Sequence, residues 1–430
     1  MSRGRALVIG RGVIGSSVAL ALARDGWTVT ALDRHGVAGH GSTSASSGVI
    51  RTHYSTREGS ALAWEGYHVW RDLAAALDAP PEGLARFRET GCLVMAHAGN
   101  DGLRRQREIA DDLGIPWEWW TGDAIRTRLP HLDLRQYGPP RRPDAAGFGE
   151  PTGGSIEGGV FWPNAGYVAD PMLAAQNIWD AAARHGAEAR RGKVTGFRID
   201  GRVRAALLKD GEAVEADIVV NAAGPASSGI NAMAGADLDM GVHPRPLRQE
   251  VVHLPPPPGL DGSDLGPVVS DGDAGVYSRP ERAGMLIGSE EPPCDPMVWV
   301  EDPNRMARDF TDQWDVQAMR YGQRVPKIGI PTRRSGVVEC YDATEDFIPI
   351  YDRSCVPGFY MACGTSGNQF KTAPVVGTLM AAIIAHVESG GNQDADPVQV
   401  EAQRTGLTLD TGFYSRLRSP NPESSGTVLG

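Results

Sequence analysis

Residues 5–33, RALVIGRGVIGSSVALALARDGWTVTALD, decide the fold. The apolar run at the start predicts a short buried strand, and the Ala-rich stretch that follows predicts a helix. A second predicted strand finishes on Asp33, and the turn before the helix carries Gly10, Gly12 and Gly15. A strand, a glycine-rich turn, a helix, a strand and an acid in this order indicate a dinucleotide-binding unit.

Each part of this unit has a role in holding a dinucleotide. The glycines allow a tight turn and a close approach of the backbone to a pyrophosphate, and the helix N-terminus supplies N–H donors and partial positive charge. Asp33 lies 18 residues after Gly15, which places it for the ribose hydroxyls. The residues predicted here to bind the cofactor are Gly10, Gly12, Val13, Ile14, Gly15, Asp33 and Arg34.

A second loop rich in Gly and Ser, GSTSASSG at residues 41–48, follows soon after the acid. A buried, extended cofactor wrapped from two sides needs such a loop, which favours FAD over NAD. On composition alone, a flexible surface loop explains the stretch equally well. Its predicted cofactor contacts are Ser42, Thr43, Ser46, Ser47 and Gly48. The sequence then turns abruptly to Arg51, His53 and Tyr54.

The overall composition limits the classes of function. The 430 residues suggest two domains, and the net charge of −11 argues against a nucleic-acid or anionic-membrane partner. Five scattered Cys without a CxxC pair indicate no metal site and no disulfide framework, so we expect a cytoplasmic protein. The sequence has no run of 18 apolar residues, and therefore no membrane span is expected.

Nucleotide-domain patterns recur along the chain, and the stretches between them are rich in predicted strands. This organisation predicts a discontinuous nucleotide-binding domain with a second, substrate-binding domain inserted into it. The first domain is assigned to residues 1–85, 150–235 and 336–395, and the second to residues 86–149 and 236–335. The polar tail at residues 400–430 is expected to be loosely ordered.

Several motifs between residues 5 and 390 resemble those of the D-amino-acid-oxidase-like flavoproteins, most of all the sarcosine and dimethylglycine branch. They are GRGVIG with Asp33, GSTSASSGVIR, GYVADP, VVNAAGP, GVYSRPERAGMLIGSEE, SGVVECYDATEDFIPI and GFYMACGTSGNQFKTAP. The resemblance implies an α/β (α+β) fold of the p-hydroxybenzoate-hydroxylase-like two-domain type. In it, a Rossmann-like domain binds FAD and an inserted antiparallel-sheet domain binds substrate. It also implies oxidation of a C–N bond.

The same resemblance assigns further residues. The implied cofactor contacts are Val194, Ala222, Ala223, Gly224, Gly364, Gly367, Asn368, Gln369, Phe370 and Lys371. In the sarcosine-oxidase pattern, the residues matching Arg51 and Lys371 hold the substrate carboxylate. Lys371 is one of only four lysines, and a carboxylate suits a paired cationic site. The alternative is a structural ion pair at Arg51 and a solvated Lys371.

The remaining substrate-side residues follow from the chemistry of an amine. Tyr277 and Tyr341, with Tyr54 as a further candidate, are expected to line the amine side, where their rings favour an alkylated ammonium. His53 and Glu290 are the candidates for handling the amine proton. Each tyrosine is otherwise explained by ordinary packing, and His53 by a structural role.

Departures from the family pattern refine the expectation. Ala45 stands where some relatives attach FAD through a histidine, and Glu339 where others use a cysteine. Cys340 is one residue away, on the opposite face of a strand unless a bulge intervenes. We therefore predict non-covalent FAD. Leu286 stands where fast oxidases have a lysine that activates dioxygen, which favours a dehydrogenase or a slow oxidase.

The predicted function is oxidation of a secondary or tertiary N-alkyl amino acid of the sarcosine or dimethylglycine type. Hydride transfer to the flavin would give an imine that water hydrolyses, and dioxygen or another acceptor would take the electrons. Two alternatives stay open. One is an oxidase or dehydrogenase of a D-amino acid or a 2-hydroxy acid, and the other is a partner-dependent flavoprotein subunit.

Overall fold

The computed structural model describes residues 3–97, 100, 102–260, 266–281 and 284–429. Two positions of the GVYSRPERAGMLIGSEE motif, Arg282 and Ala283, lie outside these ranges, as do a few positions within the predicted domain boundaries.

The described residues form strands and helices throughout the chain. The strands are β1 (Arg5–Ile9), β2 (Thr28–Asp33), β3 (Val49–Ile50), β4 (Phe87–Arg88), β5 (Cys92–Met95), β6 (Glu118–Thr121), β7 (Gly158–Trp162), β8 (Gly166–Val168), β9 (Glu188–Arg191), β10 (Val194–Asp200), β11 (Arg202–Leu208), β12 (Ala213–Glu215), β13 (Ile218–Asn221), β14 (Arg245–Leu254), β15 (Val268–Asp271), β16 (Val276–Glu281), β17 (Gly284–Ser289), β18 (Gly336–Ala343), β19 (Ile350–Arg353), β20 (Phe359–Cys363), β21 (Gln399–Glu401) and β22 (Thr408–Asp410). The α-helices are α1 (Val13–Arg24), α2 (Arg57–Arg71), α3 (Leu73–Leu77), α4 (Gly102–Leu113), α5 (Gly122–Arg128), α6 (Pro171–Arg184), α7 (Ser227–Ala234), α8 (Asp312–Arg324) and α9 (Ala373–Glu388).

A six-stranded sheet in the order β19-β20-β13-β1-β2-β9 forms the nucleotide domain. β1 runs parallel to both β2 and β13, and β13 runs parallel to β20. Alternate side chains of β1 enter different cores: Ala6 and Val8 pack with α1, α6 and α9, whereas Leu7 and Ile9 pack with the sheet β10-β11-β12. Burial on both faces explains why β1 is apolar from Ala6 to Ile9, after the exposed Arg5.

An eight-stranded, largely antiparallel sheet in the order β18-β14-β17-β16-β15-β5-β7-β6 forms the second domain. Helix α8 packs on this sheet, and its apolar side chains share a core with β14, β16 and β17. The predicted fold class, a Rossmann-like domain with an inserted antiparallel-sheet domain, is therefore confirmed.

Two strands lie in a different domain from the one that the predicted boundaries give them. β7 pairs with β5 and β18 pairs with β14, so both belong to the eight-stranded sheet. The boundaries 150–235 and 336–395 had placed them in the nucleotide domain. Both strands lie near points where the chain passes from one sheet to the other. A sequence pattern predicts a strand, but it does not predict which sheet the strand will join.

The polar tail is more ordered than its composition predicted. β21 and β22 pair with each other, and Tyr414 and Arg416 are buried. Arg416 forms ion pairs with Asp239, Asp352 and Asp394, which come from three separate segments. These contacts compensate for the low apolar content, and the expectation of a loose tail is corrected for residues 399–418.

The structure gives two further findings on the described residues. None of their helices has the length and apolar character needed to cross a bilayer. No group of three or more His, Cys, Asp or Glu side chains among them is arranged to bind a metal ion.

Candidate cofactor and active site

A cavity of about 520 Å³ is lined by residues of both large sheets. The predicted cofactor residues that line it are Gly10, Gly12, Val13, Ile14, Asp33, Arg34, Ser42, Thr43, Ser46, Ser47, Gly48, Val194, Ala222, Ala223, Gly224, Gly367, Asn368, Gln369, Phe370 and Lys371. The predicted substrate-side residues Arg51, His53, Tyr277 and Tyr341 line it as well. The structure thus brings segments far apart in sequence to one cavity.

Three predicted residues lie behind the cavity wall. A Cβ on Gly15 would lie 1.9 Å from the carbonyl oxygen of Gly10, so Gly15 permits the turn to form. Gly364 adopts a φ of 68° at the end of β20. The Glu290 carboxylate is buried and accepts a hydrogen bond of 2.5 Å from Ser270, whose residue does line the cavity.

The nucleotide end of the cavity fits FAD. Gly12 precedes α1 without a side-chain cap, and a Cβ there would lie 3.0 Å from Thr43 Oγ1. Val13 N donates to the same Thr43 oxygen at 3.1 Å, which ties the second loop to the helix start. A helix N-terminus flanked by Gly and hydroxyl residues is a site for a diphosphate.

The acid at the end of β2 is held in place by the main chain. Asp33 accepts hydrogen bonds from Arg11 N at 2.8 Å and His35 N at 2.7 Å. Lys193 also lines the cavity and was missed by the site prediction. The scarcity of lysine in this chain was a signal that could have found it.

Two buried cations face one aromatic ring at the other end of the cavity. The Arg51 guanidinium carbon lies 4.1 Å and Lys371 Nζ 5.3 Å from the Tyr54 ring centroid. Lys371 Nζ donates to Tyr54 Oη at 3.1 Å and to Asn368 O at 2.6 Å. Burial, and then the charge of Arg51, lower the pKa of Lys371 well below its ordinary value.

Both side chains are buried, with Arg51 only 6% and Lys371 only 4% exposed, and their hydrogen-bond acceptors among the described residues are neutral oxygens. Burying a cation against neutral partners is costly, because no opposite charge compensates for the lost hydration. The arrangement therefore suits an anionic group of a ligand, as the family pattern implied.

His53 is buried beside these cations. Its ring stacks on Trp162 with 4.6 Å between ring centroids, and its Nδ1 has no hydrogen-bond partner among the described residues. Burial, followed by the charges of Arg51 and Lys371, lowers the pKa of His53 well below 6.5. The imidazole is therefore neutral at pH 7 in the unliganded protein.

The two predicted tyrosines both line the cavity. Tyr277 Oη lies 2.6 Å from Ser47 Oγ, which joins the eight-stranded sheet to the cofactor loop. A Cβ on Gly367 would lie 2.4 Å from the Tyr341 ring, so only glycine allows this approach. Burial raises the pKa of Glu290, on the adjoining strand end, to about 8.

The cysteine discussed for covalent attachment is buried in a thioether environment. Cys340 Sγ lies 3.2 Å from Met306 Sδ, and burial raises the pKa of this thiol to about 12. Glu339 forms an ion pair with Arg308 at 2.9 Å. A thiol that stays protonated is a poor nucleophile, so non-covalent FAD stays our prediction.

Sequence reasoning missed the residues that close the substrate end. Arg51 Nη2 donates to Val428 O at 3.1 Å and to Leu429 O at 2.5 Å. Val428 N donates to Glu291 Oε2 at 2.8 Å, and Gln249 Nε2 donates to Glu291 Oε1 at 2.7 Å. No local pattern marks these positions, because the contacts join segments between 42 and 378 residues apart.

Known proteins are similar to this chain in sequence and in fold. The sequence model of a protein family described as FAD dependent oxidoreductase (DAO) matches residues 5–383. The chain is 25% identical to the tRNA 5-methylaminomethyl-2-thiouridine biosynthesis bifunctional protein MnmC of Chromohalobacter salexigens, over 98% of this chain and 61% of that protein. It is 22% identical to sarcosine oxidase subunit beta of an Arthrobacter species, over 94% of this chain and 92% of that protein.

A solved structure shares the fold. L-proline dehydrogenase from P. horikoshii superposes with a TM-score of 0.75 at 20% identity, over 97% of this chain and 98% of that chain. This chain spans about three-fifths of the length of the MnmC protein.

Proposed function

This chain belongs to the FAD-dependent oxidoreductase (DAO) family, and on that premise we propose that it oxidises a C–N bond of an N-alkyl amino acid of the sarcosine or dimethylglycine type. The observation that carries the proposal is the pair of buried cations, Arg51 and Lys371, that share the Tyr54 ring without an ion-pair partner in the described residues. The names of two relatives point to the same chemistry, since a methylaminomethyl group and sarcosine are both N-methylamines.

FAD, when bound, supplies the acceptor for the hydride that leaves the carbon beside the nitrogen. The chain's own residues position and desolvate the substrate. The Arg51 guanidinium presents paired N–H donors to a carboxylate, and Lys371 adds a point charge. Tyr277 and Tyr341 form the wall beside which we place the amine.

The substrate carboxylate also affects the candidate base. The pKa of His53 is depressed by burial and then by the charges of Arg51 and Lys371. A bound carboxylate cancels these charges, so the imidazole becomes more basic when substrate arrives. His53 Nδ1, which lacks a partner, is then the group proposed to accept the ammonium proton before hydride transfer.

The experiment that tests the proposal is an anaerobic titration of the purified protein with N-methyl amino acids, primary D-amino acids and 2-hydroxy acids. We expect the visible band of the oxidised flavin to bleach with the N-methyl compounds. The Arg51→Gln variant tests the carboxylate site. It should still bind the flavin, but far higher substrate concentrations should be needed to bleach the flavin band. Bleaching by only the 2-hydroxy acids or only the primary D-amino acids would replace the proposed substrate class.

A second candidate is a flavoprotein subunit that needs a partner chain for turnover. What favours it is the similarity to a protein named as a subunit, which extends over 92% of that subunit. The test is turnover by the isolated chain with dioxygen and, separately, with an artificial dye. Reduction by substrate without turnover on either acceptor would support the subunit.

A further inference from the structure

Two of the residues that close the substrate end of the cavity, Val428 and Leu429, lie in a segment that we call the tip and define as residues 426–429. The segment before the tip is tied down: Ser424 Oγ donates to Asp346 O at 2.5 Å, and Glu423 pairs with Arg105 at 2.8 Å. Val428 and Leu429 themselves line the cavity. The tip therefore extends into the cavity from a segment that side-chain contacts hold in place.

The tip contacts the site through its main chain in a pattern that an α-amino acid shares. Val428 N donates to Glu291 Oε2 at 2.8 Å, and Val428 O accepts from Arg51 Nη2 at 3.1 Å. These two atoms are joined by N–Cα–C, the same bonds that join the nitrogen and the carboxyl carbon of an α-amino acid. The groups they contact, one carboxylate and one guanidinium, have the charges that an ammonium and a carboxylate require.

We propose that the tip is an internal ligand of the amino-acid subsite, and that Arg51 and Glu291 bind the carboxylate and the ammonium group of an α-amino acid when the tip leaves. The assignment of Arg51 rests on the proposed function. The role of Glu291, and the competition between tip and substrate, go beyond it.

The surroundings of Glu291 support this role. Gln249 Nε2 donates to its other oxygen at 2.7 Å, which leaves Oε2 directed at Val428 N. Tyr277 and Tyr341, the predicted amine-side residues, are close enough for their phenol pKa values to be affected by its charge. Burial raises the pKa of Glu291 to about 7, and an ammonium partner would favour its ionised form.

When the tip leaves, Arg51 Nη2 becomes free to donate a hydrogen bond and Glu291 Oε2 becomes free to accept one. Arg51 keeps its Nη1 bond to His53 O, whereas Nη2 is released from Val428 O and Leu429 O. A ligand must therefore compete with the tip, and its apparent affinity is lowered by the fraction of molecules in which the tip is bound.

The first experiment measures this competition with acetate, a carboxylate without an amine, by the change that it causes in the flavin spectrum. A variant lacking residues 426–430 should bind acetate about tenfold more tightly than the full chain, since roughly one charge-assisted hydrogen bond no longer competes. The matched control, Val428→Ala, keeps both main-chain groups and should retain the dissociation constant of the full chain. Equal acetate affinities in the shortened and full chains would overturn the internal-ligand proposal.

The second experiment tests Glu291 in the shortened variant, where the tip no longer contributes. There, Glu291→Gln should raise the KM for sarcosine about tenfold or more and leave the acetate dissociation constant within about twofold. A merely structural role would weaken both ligands equally, and that outcome would refute the amine assignment.

Failure of the proposed function would look different. In that case Arg51→Gln would leave acetate binding unchanged in the shortened variant, and no N-alkyl amino acid would reduce the flavin in any variant. If only the internal-ligand proposal fails, Arg51→Gln still weakens acetate binding, and the shortened and the full chain bind acetate with equal affinity.

Discussion

The two ends of the cavity are built from different materials. The nucleotide end consists of main chain from the Gly turn and the loop at residues 41–48, both within the first fifty residues. The substrate end consists of side chains from segments around Arg51, Tyr277, Tyr341 and Lys371, joined by the tip. The first end is sensitive to an added Cβ, and the second is sensitive to a lost charge. At the nucleotide end, the same glycines are needed for stability and for cofactor binding. At the substrate end, the buried charged residues that are proposed to bind substrate reduce the stability of the fold.

The largest effect should come from Gly15→Ala at the nucleotide end. The new Cβ would meet the Gly10 carbonyl oxygen at 1.9 Å, and a main-chain atom cannot move aside. We expect the free energy of unfolding to fall by about 3 kcal/mol or more and the purified protein to contain little FAD. Thermal melting and the ratio of flavin to protein absorbance measure both.

The matched control is Gly36→Ala, because no heavy atom lies within 4 Å of a Cβ built there. It should leave melting temperature and flavin content unchanged. A Gly15→Ala protein with full flavin and unchanged melting would show that the turn is more plastic than the structure indicates.

At the substrate end, Lys371→Met should separate function from stability. We expect kcat/KM for an N-methyl amino acid to fall about 100-fold, because a charge-assisted contact to the carboxylate is lost. The free energy of unfolding at pH 7 should rise by about 1 kcal/mol, because burial disfavours the charged form of Lys371 and the substitution removes that penalty. Tyr54 Oη still donates to Asn368 O at 2.5 Å, so that carbonyl keeps a partner.

The sign of the pH dependence follows from the depressed pKa of Lys371. Between its folded pKa and 10.5 the unfolded chain binds more protons, so the destabilising contribution of Lys371 shrinks as pH rises. The advantage of Lys371→Met in urea unfolding should therefore be larger at pH 6 than at pH 9. Lys209→Met, at an exposed lysine, is the control. The prediction is contradicted if Lys371→Met is less stable than the parent protein at both pH values.

The effect of Glu290→Gln is expected in the pH dependence of stability. Burial raises the pKa of Glu290 to about 8, so the stability it contributes is full below pH 4.5 and is lost as pH rises through 8. The substitution should reduce the difference in unfolding free energy between pH 5 and pH 8 by about 3 kcal/mol. Glu82→Gln, at an exposed residue, serves as the control. An unchanged pH dependence of stability in Glu290→Gln would refute the raised pKa of Glu290.

The smallest effect is expected at the junction of the two ends. Tyr277→Phe removes the 2.6 Å hydrogen bond to Ser47, and we expect about a fivefold loss of kcat/KM. Tyr321→Phe, the control at a buried tyrosine that does not line the cavity, should leave kcat/KM unchanged. Equal kinetic losses in both variants would mean that the Ser47 bond has no special role.

The same contrast explains what could be predicted from sequence. The Gly turn, α1 and Asp33 follow each other in the chain, so local spacing is enough to identify them. The approach of Arg51 to Lys371 could be expected only from the family resemblance, since 320 positions separate them. The structure adds that both contact Tyr54.

Other features had no local signal. Glu291 adopts a φ of 57°, and its contact with Val428 depends on how a distant tail is anchored. That tail is polar, and its order comes from the ion pairs of Arg416 with three carboxylates, which composition does not reveal. The strands β7 and β18 have ordinary strand patterns, and only pairing decides which sheet they complete.

The strand order of the six-stranded sheet has a consequence for how the protein is made. β1 and β2 are translated before β13, with which β1 pairs, and β13 needs β20 at residues 359–363 to cover its other edge. Until β20 has been made, the nascent chain therefore carries an open, apolar sheet edge, the kind of surface that chaperones protect. The parts of the cavity wall at residues 367–371 and 428–429 are translated later still, so the cavity is complete only after both segments have been made.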